Sequence, residues 1–238
     1  MKIVTCDSYE DMSSAAADIF QNQLLKKPES IFGLATGSTP LGLYSELVAR
    51  FEAGLVDFSK SSSFNLDEYY PIKSTHHQSY HYFMEEHLFG KVNFASSRVP
   101  SGESDDPKGE CEQYDAAIEA AGGIDLQLLG VGVNGHIGFN EPAATYMLST
   151  HLTELAQSTI VTNSRFFAEG EIQPTSAITM GFGAIFGAKS ILMLISGASK
   201  TPIVKKLLEY KIHTDIPASL LLLHPDFTVI IDKEALGT

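Results

Sequence analysis

The sequence predicts one α/β domain over residues 1–238: a doubly wound, mainly parallel, Rossmann-like sheet with helices on both faces. Three observations carry this reading. Short aliphatic and β-branched runs alternate with longer stretches of helical periodicity, the rhythm that builds a parallel sheet covered by helices. Hydrophobic residues make up 44% of the 238, enough for one substantial core. No Pro/Gly/Ser-rich linker, internal repeat or low-complexity tract divides the chain.

Taken in order, "KIVTC" reads as a strand, and "SYEDMSSAAADIFQNQLLKK" as an amphipathic helix capped by Ser8. "IFGLAT" is a second strand, followed by a helix starting at Pro40 with Thr39 as its N-cap. "SSFNL" is a third strand, and "QSYHYFMEEHLFG" a helix running to Gly90. "DPKGECEQYDAAIEAAGG" is a helix with Asp106 as cap and Pro107 in its first turn. "IDLQLLGVG" reads as a buried strand, and "SILMLISG", a helix from about Ser199 and "FTVIID" repeat the pattern. In such sheets ligands bind beyond the carboxyl ends of the strands, near a switch point. The loops after "IFGLAT", "SSFNL", "IDLQLL" and "SILMLIS" therefore carry the search for chemistry.

Composition narrows the partners. Sixteen Lys and Arg against 29 Asp and Glu give a net charge of −13. That field repels nucleic acid and anionic membranes, and a phosphorylated metabolite would need a local cationic pocket. Two cysteines, Cys6 and Cys111, make neither a disulfide framework nor a zinc site. The N-terminus has no apolar h-region, and the longest apolar runs fall well short of the roughly 20 residues of a membrane helix. A cytoplasmic protein is expected.

The turn "TGSTP" offers Gly37 for an unusual backbone angle, the hydroxyls of Ser38 and Thr39, and a helix start whose N–H groups suit a phosphate. An ordinary strand-to-helix turn has the same letters, and the Lys of a Walker loop is missing. Asp67 and Glu68 follow the third strand. A carboxylate there, against apolar walls, gains proton affinity and suits a general base, whereas a helix cap or a solvated acid pair is the plainer alternative.

"GVGVNGHIGFNEP" contains G-x-G-x-x-G at Gly130, Gly132 and Gly135. The dinucleotide fingerprint requires a helix to open in the glycine run and an acidic residue closing a later strand, and neither is expected here. His136 is the more informative letter. Histidine moves protons near neutral pH, and Glu141 is close enough in sequence to orient it. A loop histidine bonded to backbone is the plainer alternative. His136 and Glu141 supply too few ligands for a metal site. Arg165, after a stretch from Ala143 to Ser164 without Lys or Arg, and Lys200, at a strand-to-helix turn, are cations that together with "TGSTP" would make a phosphate clamp; a surface charge is the alternative for each.

"LATGSTPLGLY", "FNLDEYY", "LLGVGVNGHIGFNEP", "NSRFF", "SGASK" and "LLLHPD" occur in the order found in glucosamine-6-phosphate deaminases, which the chain resembles from about Ile31 to Asp232. The resemblance implies aldose–ketose isomerisation with loss of ammonia: D-glucosamine 6-phosphate and water to D-fructose 6-phosphate and ammonium, in amino-sugar catabolism. It implies Asp67 as the base shuttling a proton from the second carbon to the first, His136 in ring opening and Glu141 supporting it. Gly37, Ser38, Thr39, Arg165 and Lys200 match the phosphate-binding positions, and no metal or organic cofactor is implied. One departure lies two residues before the histidine. Members often carry Asp there with a part in ring opening, and this chain has Asn134, which can orient a histidine but not offset its charge. A second departure is the absence of Lys and Arg between "NEP" and "NSRFF", where allosteric members bind an N-acetylated sugar phosphate, and of a C-terminal extension after "VIIDKEALGT". A small-molecule sugar phosphate is thus the expected partner, without nucleic acid or membrane. The expected form is a monomer or small homo-oligomer without allosteric activation, for which a hexamer is not required. The polar loop 142–164 is the candidate for a lid.

Overall fold

A computed structural model describes residues 1–157, 160 and 173–238. Seven parallel strands form the main sheet: β1 (Lys2–Cys6), β2 (Ile31–Leu34), β3 (Ser62–Asn65), β5 (Ser96–Arg98), β6 (Leu126–Leu129), β9 (Ser190–Ile195) and β10 (Phe227–Asp232). Their spatial order is β1-β10-β9-β6-β2-β3-β5. The chain runs outward from β2 through β3 to β5, then returns to place β6 on the other side of β2. The sheet thus has its switch point between β2 and β6, where a crevice opens at the carboxyl ends. A second, antiparallel sheet of three strands is built from β4 (Asp67–Tyr70), β8 (Ser176–Thr179) and β7 (His151–Glu154), in that order.

Helices α1 (Tyr9–Lys26), α2 (Leu41–Glu52), α3 (Tyr80–His87), α4 (Pro107–Ala120), α5 (Phe182–Gly187), α6 (Thr201–Leu207) and α7 (Lys233–Leu236) flank the main sheet, confirming the doubly wound expectation. Ser8 caps α1 by accepting the Asp11 N–H, and Asp106 caps α4 from the Gly109 N–H, as the sequence predicts. The strands β2, β6 and β9 are buried almost along their whole length, so they read as continuous apolar runs. Phe32 of β2 stacks on Phe20 of α1, with ring centroids 5.0 Å apart, and meets Phe58 and Phe94 edge-on. This aromatic cluster fixes α1 against the sheet beneath the crevice.

The structure corrects four local expectations. Pro40, not Thr39, occupies the N-cap of α2, and no side chain caps that helix. Helix α3 ends at His87 and a single 3₁₀ turn, Phe89–Lys91, carries the chain past Gly90. Asp67 and Glu68 open a strand of the small sheet, where the sequence suggests a loop. The candidate lid 142–164 contains strand β7, and its residues 158, 159 and 161–164 lie outside the described ones. Among the described residues no helix is long and apolar enough to cross a membrane, and no cluster of three or more His, Cys, Asp or Glu could hold a metal ion.

Candidate active site

At the switch point lies a cleft of about 430 Å³, in the size range of small-molecule sites. The loop after β2 supplies Thr36, Gly37, Ser38 and Thr39; the loop after β6 supplies Asn134, His136 and Glu141; Asp67 and Lys200 complete the wall. Eight of the nine residues singled out in the sequence therefore converge on one cleft: Gly37, Ser38, Thr39, Asp67, Asn134, His136, Glu141 and Lys200. The ninth, Arg165, lies outside the described residues.

The phosphate-type loop is held from behind. Gly37 sits at φ +111, a conformation glycine adopts without strain. Because α2 has no side-chain cap, the hydroxyls of Ser38 and Thr39 are not spent on capping it. Tyr9, from the start of α1, accepts the Gly42 N–H at 2.7 Å and reaches the carbonyls of Ser38 and Thr39 at 3.1 and 3.0 Å. The sequence gives no signal for this phenol, since Tyr9 lies 30 residues upstream in a different helix. Across the cleft, Lys200 donates to the Val131 carbonyl at 2.7 Å, and burial lowers its pKa.

The loop after β6 opens no helix, so its glycines do not make a dinucleotide site. They shape a tight bend instead. The Gly132 N–H donates to the His136 carbonyl, and a Cβ at Gly132 would meet the imidazole at 2.3–2.5 Å. Gly132 thus makes the space in which the His136 ring lies. His136 Nδ1 stands 3.3 Å from Glu141 Oε1, close enough for a charge contact though not aligned as a hydrogen bond. Catalytic contacts of this kind commonly tighten only with substrate bound. Asn134 donates from Nδ2 to Glu141 Oε2 at 2.7 Å, and its own Oδ1 accepts the His136 backbone N–H at 3.1 Å. The amide so orients both partners while adding no charge. The nearby His136 imidazole, together with Asn134, holds Glu141 below its ordinary carboxylate range against the opposing effect of burial.

Asp67 is 6% exposed at the start of β4. Burial, with the charge of Glu68 adding to it, pushes its pKa up to about 8. Glu68 resolves the ambiguity of the acid pair. Its carboxylate is buried, and accepts the N–H groups of Tyr69, Tyr80 and His81 at 2.8–2.9 Å. Two of these donors open α3, so Glu68 anchors that helix's N-terminus, where a negative charge is favoured. Burial raises the Glu68 pKa and the three donors oppose that rise. Tyr80, brought to the cleft wall by this anchor, stacks parallel to Phe139 at 6.1 Å.

A buried carboxylate of high proton affinity, a histidine–carboxylate contact and a lysine opposite a glycine–hydroxyl turn make this an α/β enzyme site suited to proton transfer on a small anion. The chain belongs to the glucosamine-6-phosphate isomerase/6-phosphogluconolactonase family, whose model matches residues 7–230. It is 48% identical over 237 residues to a glucosamine-6-phosphate deaminase of Thermoanaerobacter pseudethanolicus, covering 99% of this chain and 94% of the relative. It is 47% identical over 237 residues to one of Clostridium botulinum, covering 99% and 97%. Among solved structures, a monomeric glucosamine-6-phosphate deaminase superposes with a TM-score of 0.95 at 41% identity, over 100% of this chain and 99% of the other. A 6-phosphogluconolactonase of Thermotoga maritima, at 20% identity and a TM-score of 0.75 over 97% and 98% of the two chains, shares the fold.

Proposed function

We infer that this chain converts D-glucosamine 6-phosphate and water to D-fructose 6-phosphate and ammonium, the activity its full-length relatives carry in their names, within amino-sugar catabolism. The observation that carries the residue roles is the placement of one buried, protonatable carboxylate, Asp67, in the same cleft as His136 and Glu141. The substrate phosphate docks on Gly37, Ser38 and Thr39, with Lys200 and Arg165 as its counter-charges. Its binding energy, remote from the reacting carbons, fixes the sugar's orientation.

His136, oriented by Glu141 and Asn134, moves a proton from the hydroxyl on the first carbon to the ring oxygen, and the pyranose opens to the aldehyde. Asp67 then takes the proton on the second carbon. The electrons of that bond form a double bond between the first and second carbons, while the aldehyde oxygen takes a proton from the substrate's ammonium group, giving an enolamine whose nitrogen carries a free lone pair. Asp67 returns its proton to the first carbon while the nitrogen lone pair forms an iminium at the second. Water adds to the iminium carbon and nitrogen leaves as ammonium, which produces the ketone. A lactonase would need no proton shuttle between adjacent carbons, and so no buried carboxylate of this kind.

The chain works as a cytoplasmic monomer without allosteric activation. The high likeness to a monomeric deaminase supports the monomer, and the lack of Lys and Arg from Ala143 to Ser164 supports the absence of allosteric activation. The test is direct: purified protein and glucosamine 6-phosphate should yield ammonium and fructose 6-phosphate in equal amounts. Folded protein that yields neither contradicts the reading.

A further inference from the structure

The base and the histidine come from different parts of the fold, Asp67 from β4 and His136 from the loop after β6, yet the reaction needs them in fixed relation. Two consecutive residues join them, Thr179 at the end of β8 and Met180 just after it. Thr179 lies directly across the antiparallel ladder from Asp67 and is fully buried. Its Oγ1 accepts the Phe139 backbone N–H at 3.1 Å. Next to it, Met180 donates its N–H to the Leu66 carbonyl at 2.7 Å, and its own carbonyl accepts from Asn140 Nδ2 at 3.0 Å. Asn140 Nδ2 also donates to the Ile137 carbonyl at 3.0 Å, closing the turn that follows His136. One short segment therefore grips both the residue before Asp67 and the loop after His136.

Gly138 shows how close the two parts come. It sits at φ +57, and a Cβ there would lie 2.9 Å from Thr179 Oγ1 and 3.0 Å from Asp67 Oδ2. The loop backbone is therefore packed directly against the carboxylate and the hydroxyl together. Having accepted from Phe139, a threonine hydroxyl still has its proton to donate.

We propose that Thr179 is a positioning residue for the reaction: its hydroxyl holds the Gly138–Phe139 backbone closed against Asp67 and so sets the base relative to His136. This inference rests on the deaminase reading, and it adds a residue that touches neither the phosphate site nor the His136–Glu141 contact. A valine at 179 keeps the shape and loses the hydroxyl, leaving the Phe139 N–H without its acceptor.

The test compares Thr179→Val, Thr179→Ala and Thr179→Ser with the wild type in steady-state turnover of glucosamine 6-phosphate. Inhibition by inorganic phosphate serves as a separate probe of the phosphate loop. A backbone shift next to the base should lower kcat of the valine and alanine variants about 10–100-fold. KM and phosphate inhibition should stay near wild type, and serine should restore most of kcat. If valine does not fold, alanine decides with the same expectation. Wild-type kcat in the hydroxyl-free variants, or serine as impaired as they are, overturns the proposal. A rise in KM and weaker phosphate inhibition without loss of kcat also overturns it. If the wild type itself releases no ammonium, the deaminase reading fails instead, which keeps the two failures distinct.

Discussion

Asp67 and Glu68 are neighbours in the chain with divided tasks. Glu68 spends its carboxylate on three backbone N–H groups, while Asp67 faces the cleft with its pKa pushed up to about 8 by burial and by Glu68. A general base acts only when deprotonated, so a raised pKa withholds activity at low pH and releases it as pH rises. The acid limb of kcat/KM, which reports the free enzyme, should therefore climb toward about 8 rather than level off near the ordinary aspartate value of roughly 4. Glu68→Gln removes the neighbouring charge but leaves the burial, so it should move that limb part of the way down. A limb already near 4 in the wild type, or one unmoved by Glu68→Gln, would show that the pair is not coupled as described. The resemblance implies Asp67 as a base, while the sequence leaves Glu68 ambiguous. Its three donors come from residues 69, 80 and 81, and no local pattern joins a strand start to the helix that begins 12 residues later.

At the scale of elements, the long, buried strands and capped helices follow from periodicity and caps, because their patterns are strong over many residues. The small sheet does not. β4 reads "DEYY", β7 "HLTE" and β8 "SAIT", each four residues with little apolar alternation. β5, "SSR", is three polar residues at a sheet edge. Such strands are specified by their partners rather than by their own composition. The same holds for the loop that carries Lys200. Asp232, at the end of β10, caps α7 through the Ala235 N–H at 2.7 Å, accepts the Gly197 N–H at 3.2 Å and takes the Ser196 hydroxyl. It ties the last strand to the turn that aims Lys200, a link across 35 residues of sequence. Asp232→Ala should lower Tm, since losing an N-cap alone costs about 1 kcal/mol, and should raise KM for the sugar phosphate more than it lowers kcat. Thermal unfolding and steady-state kinetics together check this, and an unchanged KM would mean that the turn keeps its place without Asp232.

The whole molecule places a cleft for an anionic sugar in a chain of net charge −13. That arrangement calls for a local cation, and among the described residues Lys200 stands at the cleft wall. The switch point between β2 and β6 explains why loops so distant in sequence meet there; the βαβ rhythm predicts the parallel sheet but not the strand order that places that point. The likeness to a monomeric deaminase predicts that the protein sediments as a single chain. It also predicts hyperbolic kinetics that N-acetylglucosamine 6-phosphate leaves unchanged; a sigmoidal curve made hyperbolic by that compound would contradict the expectation. The central claim is that Asp67 moves the proton between the two carbons, and it rests on one comparison. Ammonium release from glucosamine 6-phosphate by folded Asp67→Asn protein should be at least about a hundredfold slower than by the wild type, the usual cost of losing a general base. Turnover close to wild type would mean that another group is the base.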